Sequence, residues 1–204
     1  MVQGVSSWAL DAAQKWFRDY LTQPHDAIGR TGAVCPFVEP SQRADCLRVE
    51  EWRMDDDADV DDVVALIGRM VEHFDGIAWA SANKILHALV VVLPDLAGDR
   101  AHLLDEAHRI TKPDLVRRGL MLGQFHAECD EPSARNPDFP VSKSPVPLFA
   151  LRHVAFHDVL FLDSDPGWFA HYARRYGKRY AKGAVPEPLF AALFARACRR
   201  WGAE

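Results

Sequence analysis

Apolar residues recur at helical spacing in several stretches of the chain. Leu10, Ala13, Trp16, Phe17, Tyr20 and Leu21 fall on one face of a segment that Ser7 can cap, which predicts a first helix over 7–21. Val60, Val63, Val64, Ile67, Met70, Val71 and Phe74 form a second stripe over 59–74. Asp59, Asp61 and Asp62 open it, and acids suit the positive end of a helix dipole, so this run reads as a helix start rather than a cation site. A third helix is expected from Asp99 over 99–110, with Pro113 beginning a further turn or two. Asp165 and Pro166 open another over 165–181. Pro186 or Pro188 opens the last, with Leu189, Phe190, Leu193, Phe194, Ala197 and Trp201 inward and Gly202 as its stop.

A different pattern marks strands. Residues 85–93 are β-branched and almost wholly apolar, as in a central strand, and Pro94 ends them. Residues 120–126 and 148–156 give two more strands, separated by a long Pro-containing loop, and 46–54 give a half-exposed one. A short extended piece is expected over 33–38, within a segment rich in Gly and Pro. The order is α-β-α-β-α-β-loop-β-α-α. Long loops between strands and helices gathered at the ends favour an α+β fold over a regular parallel sheet. The expectation is one domain spanning 1–204, with a mostly antiparallel sheet of about four strands flanked by helices and two C-terminal helices.

Apolar residues make up 49% of the 204, enough for a substantial core without disulfides or structural metal. The formal net charge of -5 speaks against wholesale nucleic-acid binding. That charge is uneven: residues 165–204 carry a net +5, so the remainder carries -10. The basic end can meet the acidic second helix of the same chain or of a second copy, which allows a homodimer. Four cysteines (Cys35, Cys46, Cys129, Cys198) at unrelated spacings read as reduced thiols. Residues 1–7 lack the basic start and apolar run of a secretory leader. The longest apolar run, 88–93, falls far short of the roughly 20 residues a membrane span needs. A cytoplasmic protein without membrane attachment is expected.

Three segments combine irregular backbone with reactive side chains. In the first, Gly29 and Gly32 flank Arg30, and Pro36 holds Cys35 extended, which fixes the direction of its sulfur. Arg30 can hold a carboxylate bidentately; the bland alternative is a tight connection with an inert Cys and a surface Arg. In the second, His126 emerges from a strand end as a metal ligand or general base, although such a histidine more often bonds a loop carbonyl. His126, Ala127 and Glu128 match half of a zinc-deaminase signature, but no P-C-x-x-C follows. His126 and Cys129 have zinc-like spacing, while Cys35 and Cys46 form no matching second half.

The third segment, 135–147, carries four prolines and must be ordered by packing or cover a site. It leads into Arg152 and His153, adjacent strand residues that point to opposite faces, so only one can face a shared pocket. Otherwise His153 bonds within the core and Arg152 pairs with acids of the second helix. Tyr172, Tyr176 and Tyr180 recur among basic residues. They suit nucleic acid less well than inward packing beneath a solvated basic side. There is no G-x-S-x-G, phosphate loop or dinucleotide fingerprint.

GRTGAVCPFV, GQFH, NPDFP and SPVPLFALRH, in that order, resemble an uncharacterised bacterial family common in actinobacterial biosynthetic gene clusters and known only as a domain of unknown function. The resemblance covers roughly 29–162 and supplies no activity. A more distant similarity, through Cys35-Pro36-Phe37, is to the YqcI/YcgG family named for its CPF or FPC motif. That family includes haem-dependent enzymes that oxygenate nitrogen in amino-acid or guanidine substrates. The second resemblance implies a haem-dependent oxygenase, or N-oxygenase, acting on a small amino-acid-derived molecule in natural-product biosynthesis. His126 is then the first choice of axial ligand and Cys35 the second. Arg30, Arg152 and His153 would serve propionates or a substrate carboxylate, and Asn136 and Phe139 would contact substrate under the proline-rich loop. Two alternatives stand beside it: a cofactor-free enzyme with Cys35 as nucleophile and His126 as base, and a non-catalytic binding partner in a biosynthetic pathway. The catalytic readings require the Cys-Pro turn, His126 and the proline-rich span to meet around one cavity.

Overall fold

The computed structural model describes residues 7–202; residues 1–6, which carry most of the leader reading, lie outside the described residues. Ser7 caps α1 (Trp8–Trp16), its hydroxyl accepting from the Leu10 N–H at 3.2 Å. The helix continues as a π-helical turn, Phe17–Leu21. The extended piece expected over 33–38 is corrected. Ala33 keeps one isolated bridge to Pro24, and the chain then turns into α2 (Val38–Arg43). Pro40 lies in the first turn of α2, where a missing N–H has no intrahelical acceptor to lose, so the proline does not oppose the helix.

β1 (Leu47–Glu51) follows, then α3 (Val60–Gly76), opened by a reciprocal capping box between Asp59 and Asp62. The acids of this segment therefore cap the helix. β2 (Ala88–Val92) is shorter than its apolar run, because the Asn83 side chain accepts from the Ile85 N–H and closes a 3₁₀ turn over Lys84–Leu86. α4 (His102–Arg117) passes through Pro113, where a break was expected. Buried Leu104 and Ala107 before the proline, and Leu115 and Val116 after it, override the local preference.

β3 (Leu120–Phe125) ends just before His126. The expected long loop contains an antiparallel hairpin of β4 (Pro132–Ser133) and β5 (Asn136–Pro140). Pro132 and Pro140 sit at strand ends and Pro137 at the second position of β5. In an isolated two-stranded pair, where both strands are edges, they cost little, which is why proline content concealed it. β6 (Leu148–His153) stops three residues short of expectation, at a 3₁₀ turn over Phe156–Asp158. α5 (Val159–Leu162), α6 (Pro166–Ala181) and α7 (Pro188–Trp201) complete the described chain.

The fold is α+β, with a mostly antiparallel four-stranded sheet of order β1-β2-β6-β3 and a separate two-stranded one. β1 runs parallel to β2, and β6 antiparallel to it. Among the described residues no helix is long and apolar enough to cross a membrane. The chain divides into two compact units: residues up to 111 with 122–152, and 112–121 with 153 onward.

In the first unit, Ala9, Ala13, Trp16 and Phe17 of the N-terminal helix pack in one cluster with Val90, Val92 and Leu148. Leu89 and Val91 are equally buried and point the other way, so β2 is covered on both faces. The core of the second unit is aromatic: Phe169, Tyr172 and Phe190 are buried, and Tyr180 stacks on Phe194 with ring centres 3.8 Å apart. The tyrosines of α6 point inward, as expected. Tyr172 donates to the Phe156 carbonyl and Tyr176 to that of Val154, each at 2.7 Å. Burial pushes the Tyr172 phenol well above its ordinary range.

Candidate metal centre

Alternation along β3 decides where His126 points. Phe125 packs edge-on to Trp16, ring centres 5.6 Å apart, on the α1 side of the sheet. The next side chain is therefore turned to the opposite side. There the imidazole Nε2 of His126 lies 3.2 Å from each carboxylate oxygen of Asp105, in the first turns of α4. His126 is only 2% exposed, and its Nδ1 is buried with no hydrogen-bond partner among the described residues.

A tight turn follows. The His126 carbonyl accepts from the Cys129 N–H at 3.2 Å and from the Ser144 N–H at 3.1 Å. This turn folds Cys129 back beneath the strand, its Sγ 3.9 Å from the Gln124 carbonyl. One ligand atom each from Asp105, His126 and Cys129 lies within 4.8 Å of the others. Burial pushes the Cys129 thiol up, a backbone hydrogen bond at Glu131 opposes this, and the negative charges of Asp105, Glu131 and Asp130 push it further up. Buried imidazole, buried thiol and half-exposed carboxylate thus share an electronegative corner that disfavours an isolated thiolate. A cation placed among them would reverse that preference.

The other residues singled out in the sequence lie elsewhere. Cys35 donates its N–H to the Leu21 carbonyl at 2.8 Å and packs, half-buried, against the α1-side cluster that also takes up Phe125. Cys35 and His126 therefore belong to opposite faces of the sheet. Arg30 donates to the carbonyls of Thr31 and Val34, at 2.9 and 3.0 Å, and bracing of its own loop is what these bonds achieve. Asn136 donates to the Ala27 carbonyl at 2.8 Å, and Phe139 stacks on His25 with ring centres 4.5 Å apart. The glycine-rich loop and the proline-rich hairpin are thus brought together, each ordering the other. Arg152 lies over the Phe37 ring, 4.3 Å from its centre. His153 is half-buried and belongs to the second unit.

Asp105 has no distinguishing mark in the sequence; it is one of several polar residues on the outward side of a helix. Cys129 is marked by its spacing from His126 but has no second pair to complete a zinc motif. A haem group fits this corner poorly. The imidazole is 2% exposed with its Nε2 on a carboxylate, whereas N, O and S donors at this spacing suit a single ion.

No curated protein and no solved structure matches the chain. A family model matches residues 10–186, and the chain belongs to that family, described as Domain of unknown function (DUF6875).

Proposed function

We propose that this member of the family binds one divalent transition-metal ion, zinc by preference, through Asp105, His126 and Cys129. In this reading the site supports metal-assisted chemistry on a small polar substrate. The observation that carries the reading is the convergence of three different donors within 4.8 Å, two of them buried. A borderline-soft ion takes thiolate and imidazole together, and zinc–ligand bonds of about 2.0–2.3 Å put donors about 3.3–3.8 Å apart in a tetrahedron. The Asp105–His126 separation of 3.2 Å is close to that already.

Three protein ligands leave a fourth position open, the pattern of catalytic rather than structural zinc. Asp105, whose side chain is 47% exposed, marks the side from which water or substrate would enter. Such an ion, when bound, supplies Lewis acidity toward a carbonyl or phosphoryl oxygen. The chain's own part is to surrender the Cys129 proton, hold the imidazole in one orientation and keep the inner side dry.

Cobalt(II) titration of metal-free protein tests this. Thiolate-to-cobalt charge-transfer absorption should grow to one equivalent and vanish in Cys129→Ser and in the surface variant Asp105→Ala. Unchanged cobalt binding in both variants overturns the reading. The haem-dependent oxygenase suggested by the YqcI/YcgG resemblance is the competing proposal, and the same spectra separate the two. A Soret band in the purified protein, lost in His126→Ala, would favour haem over a lone ion.

A further inference from the structure

The second unit contains a cavity of about 280 Å³ whose rim is strongly basic. Arg117, Arg118 and Gly119 reach it from the end of α4, and His171, Arg174 and Arg175 from α6. Val154, Leu162 and Tyr172 lie beneath it, each at most 3% exposed, so the accessible lining is mainly the basic side chains. Cations at the C-terminus of a helix suit its dipole, which accounts for Arg117 and Arg118. It does not account for the charges that α6 adds from across the cavity.

Among the described residues no carboxylate pairs with the Arg174 or Arg175 guanidinium. Arg117 pairs with Asp114 at 2.5 Å. His171 is held below its ordinary range by burial and then by the charges of Arg174 and Arg117. Arg174 donates to the His171 Nδ1 at 3.0 Å, a bond that requires the neutral imidazole to accept. The turn is also shaped for close approach. Gly119 has φ +76°, and a Cβ there would lie 3.2 Å from the Arg175 Nη1, so glycine lets the guanidinium rest against the backbone.

We infer that this cavity is a binding site for a small phosphomonoester. The phosphate would meet the Arg174 and Arg175 guanidiniums, whose planar forks match its oxygens, and the organic body would extend toward the open mouth, because Tyr172, Val154 and Leu162 are buried. The volume sits at the small end of ligand pockets, which run from about 300 Å³ upward, so a compact metabolite fits and a nucleic-acid strand does not. The chain's net charge of -5 also opposes a polyanion.

The test is calorimetric titration of the full chain, at constant ionic strength, with inorganic phosphate, glycerol phosphate, citrate and a short single-stranded oligonucleotide. Saturable one-site binding of phosphate and of glycerol phosphate is expected. Both should weaken at least tenfold in the Arg174→Ala/Arg175→Ala double variant, which changes only exposed side chains, and in Gly119→Ala. Three results would each overturn the inference: no saturable phosphate binding, equal affinity in the double variant, or tighter binding of citrate or oligonucleotide than of the ester.

Discussion

The imidazole of His126 and the carboxylate of Asp105 meet at 3.2 Å although 21 positions separate them in the chain. One residue closes a strand and the other belongs to the helix covering that face of the sheet. If this pair holds an ion, Asp105→Asn keeps the shape and removes the charge. Zinc affinity, measured by competition with a chromogenic chelator, should fall at least about tenfold, the lower limit seen even for loss of outer-shell partners. Thermal stability should move by no more than about 0.5 kcal/mol, because the side chain is substantially exposed.

The state of Cys129 gives the site a pH dependence with a definite sign. Burial raises its thiol, so below that raised value the ion must displace a proton to form the thiolate. Zinc affinity should therefore climb with pH, approaching tenfold per unit for one released proton, and Cys129→Ser should flatten the slope. The metal-free protein shows the reverse linkage. A thiol raised in the folded state contributes stability that is full below the unfolded value and lost as pH rises through the folded one. Chemical denaturation of the metal-free protein across alkaline pH, compared with Cys129→Ser, checks this.

Gly29 is a structural test that leaves the ion alone. Its φ is +77°, and a Cβ would come within 2.9 Å of the Arg135 Cβ, where the glycine-rich loop meets the hairpin. Gly29→Ala should cost about 1–3 kcal/mol through strain and displaced contact, read as a lower melting temperature. Zinc affinity should stay within twofold, since this loop packs on the α1 side of the sheet.

In the second unit, Tyr172 donates to the Phe156 carbonyl and shares a 2.7 Å hydrogen bond with the Tyr180 hydroxyl. Tyr172→Phe leaves the half-buried Phe156 carbonyl without that donor. A loss of about 1–3 kcal/mol is expected in denaturant unfolding, with the aromatic core otherwise retained.

Much of the fold is written locally. Ser7 and Asp59 sit at caps, five of the seven stripe residues of α3 are buried together with Leu66, which the stripe left out, and the apolar run of β2 is covered on both sides. What local pattern conceals is decided by packing. Pro113 and Pro40 sit inside helices, and three prolines, Pro132, Pro137 and Pro140, sit in the β4–β5 hairpin. The site divides in the same way. His126 stands out because an imidazole closes a strand, and the parity of that strand already separates its side from that of Phe125. Asp105 could not be paired with it, because nothing in the sequence sets the rotation of α4 above the sheet. The motif residues Arg30, Asn136 and Phe139 do converge, and what they form is a braced loop.

Elemental analysis of the purified chain, after zinc loading and exhaustive dialysis, tests the central claim most directly. The account predicts close to one zinc per chain in the wild type, and less than a tenth of that in His126→Ala and Cys129→Ser. A wild type holding no more zinc than the dialysis buffer, or variants retaining as much as the wild type, would contradict it.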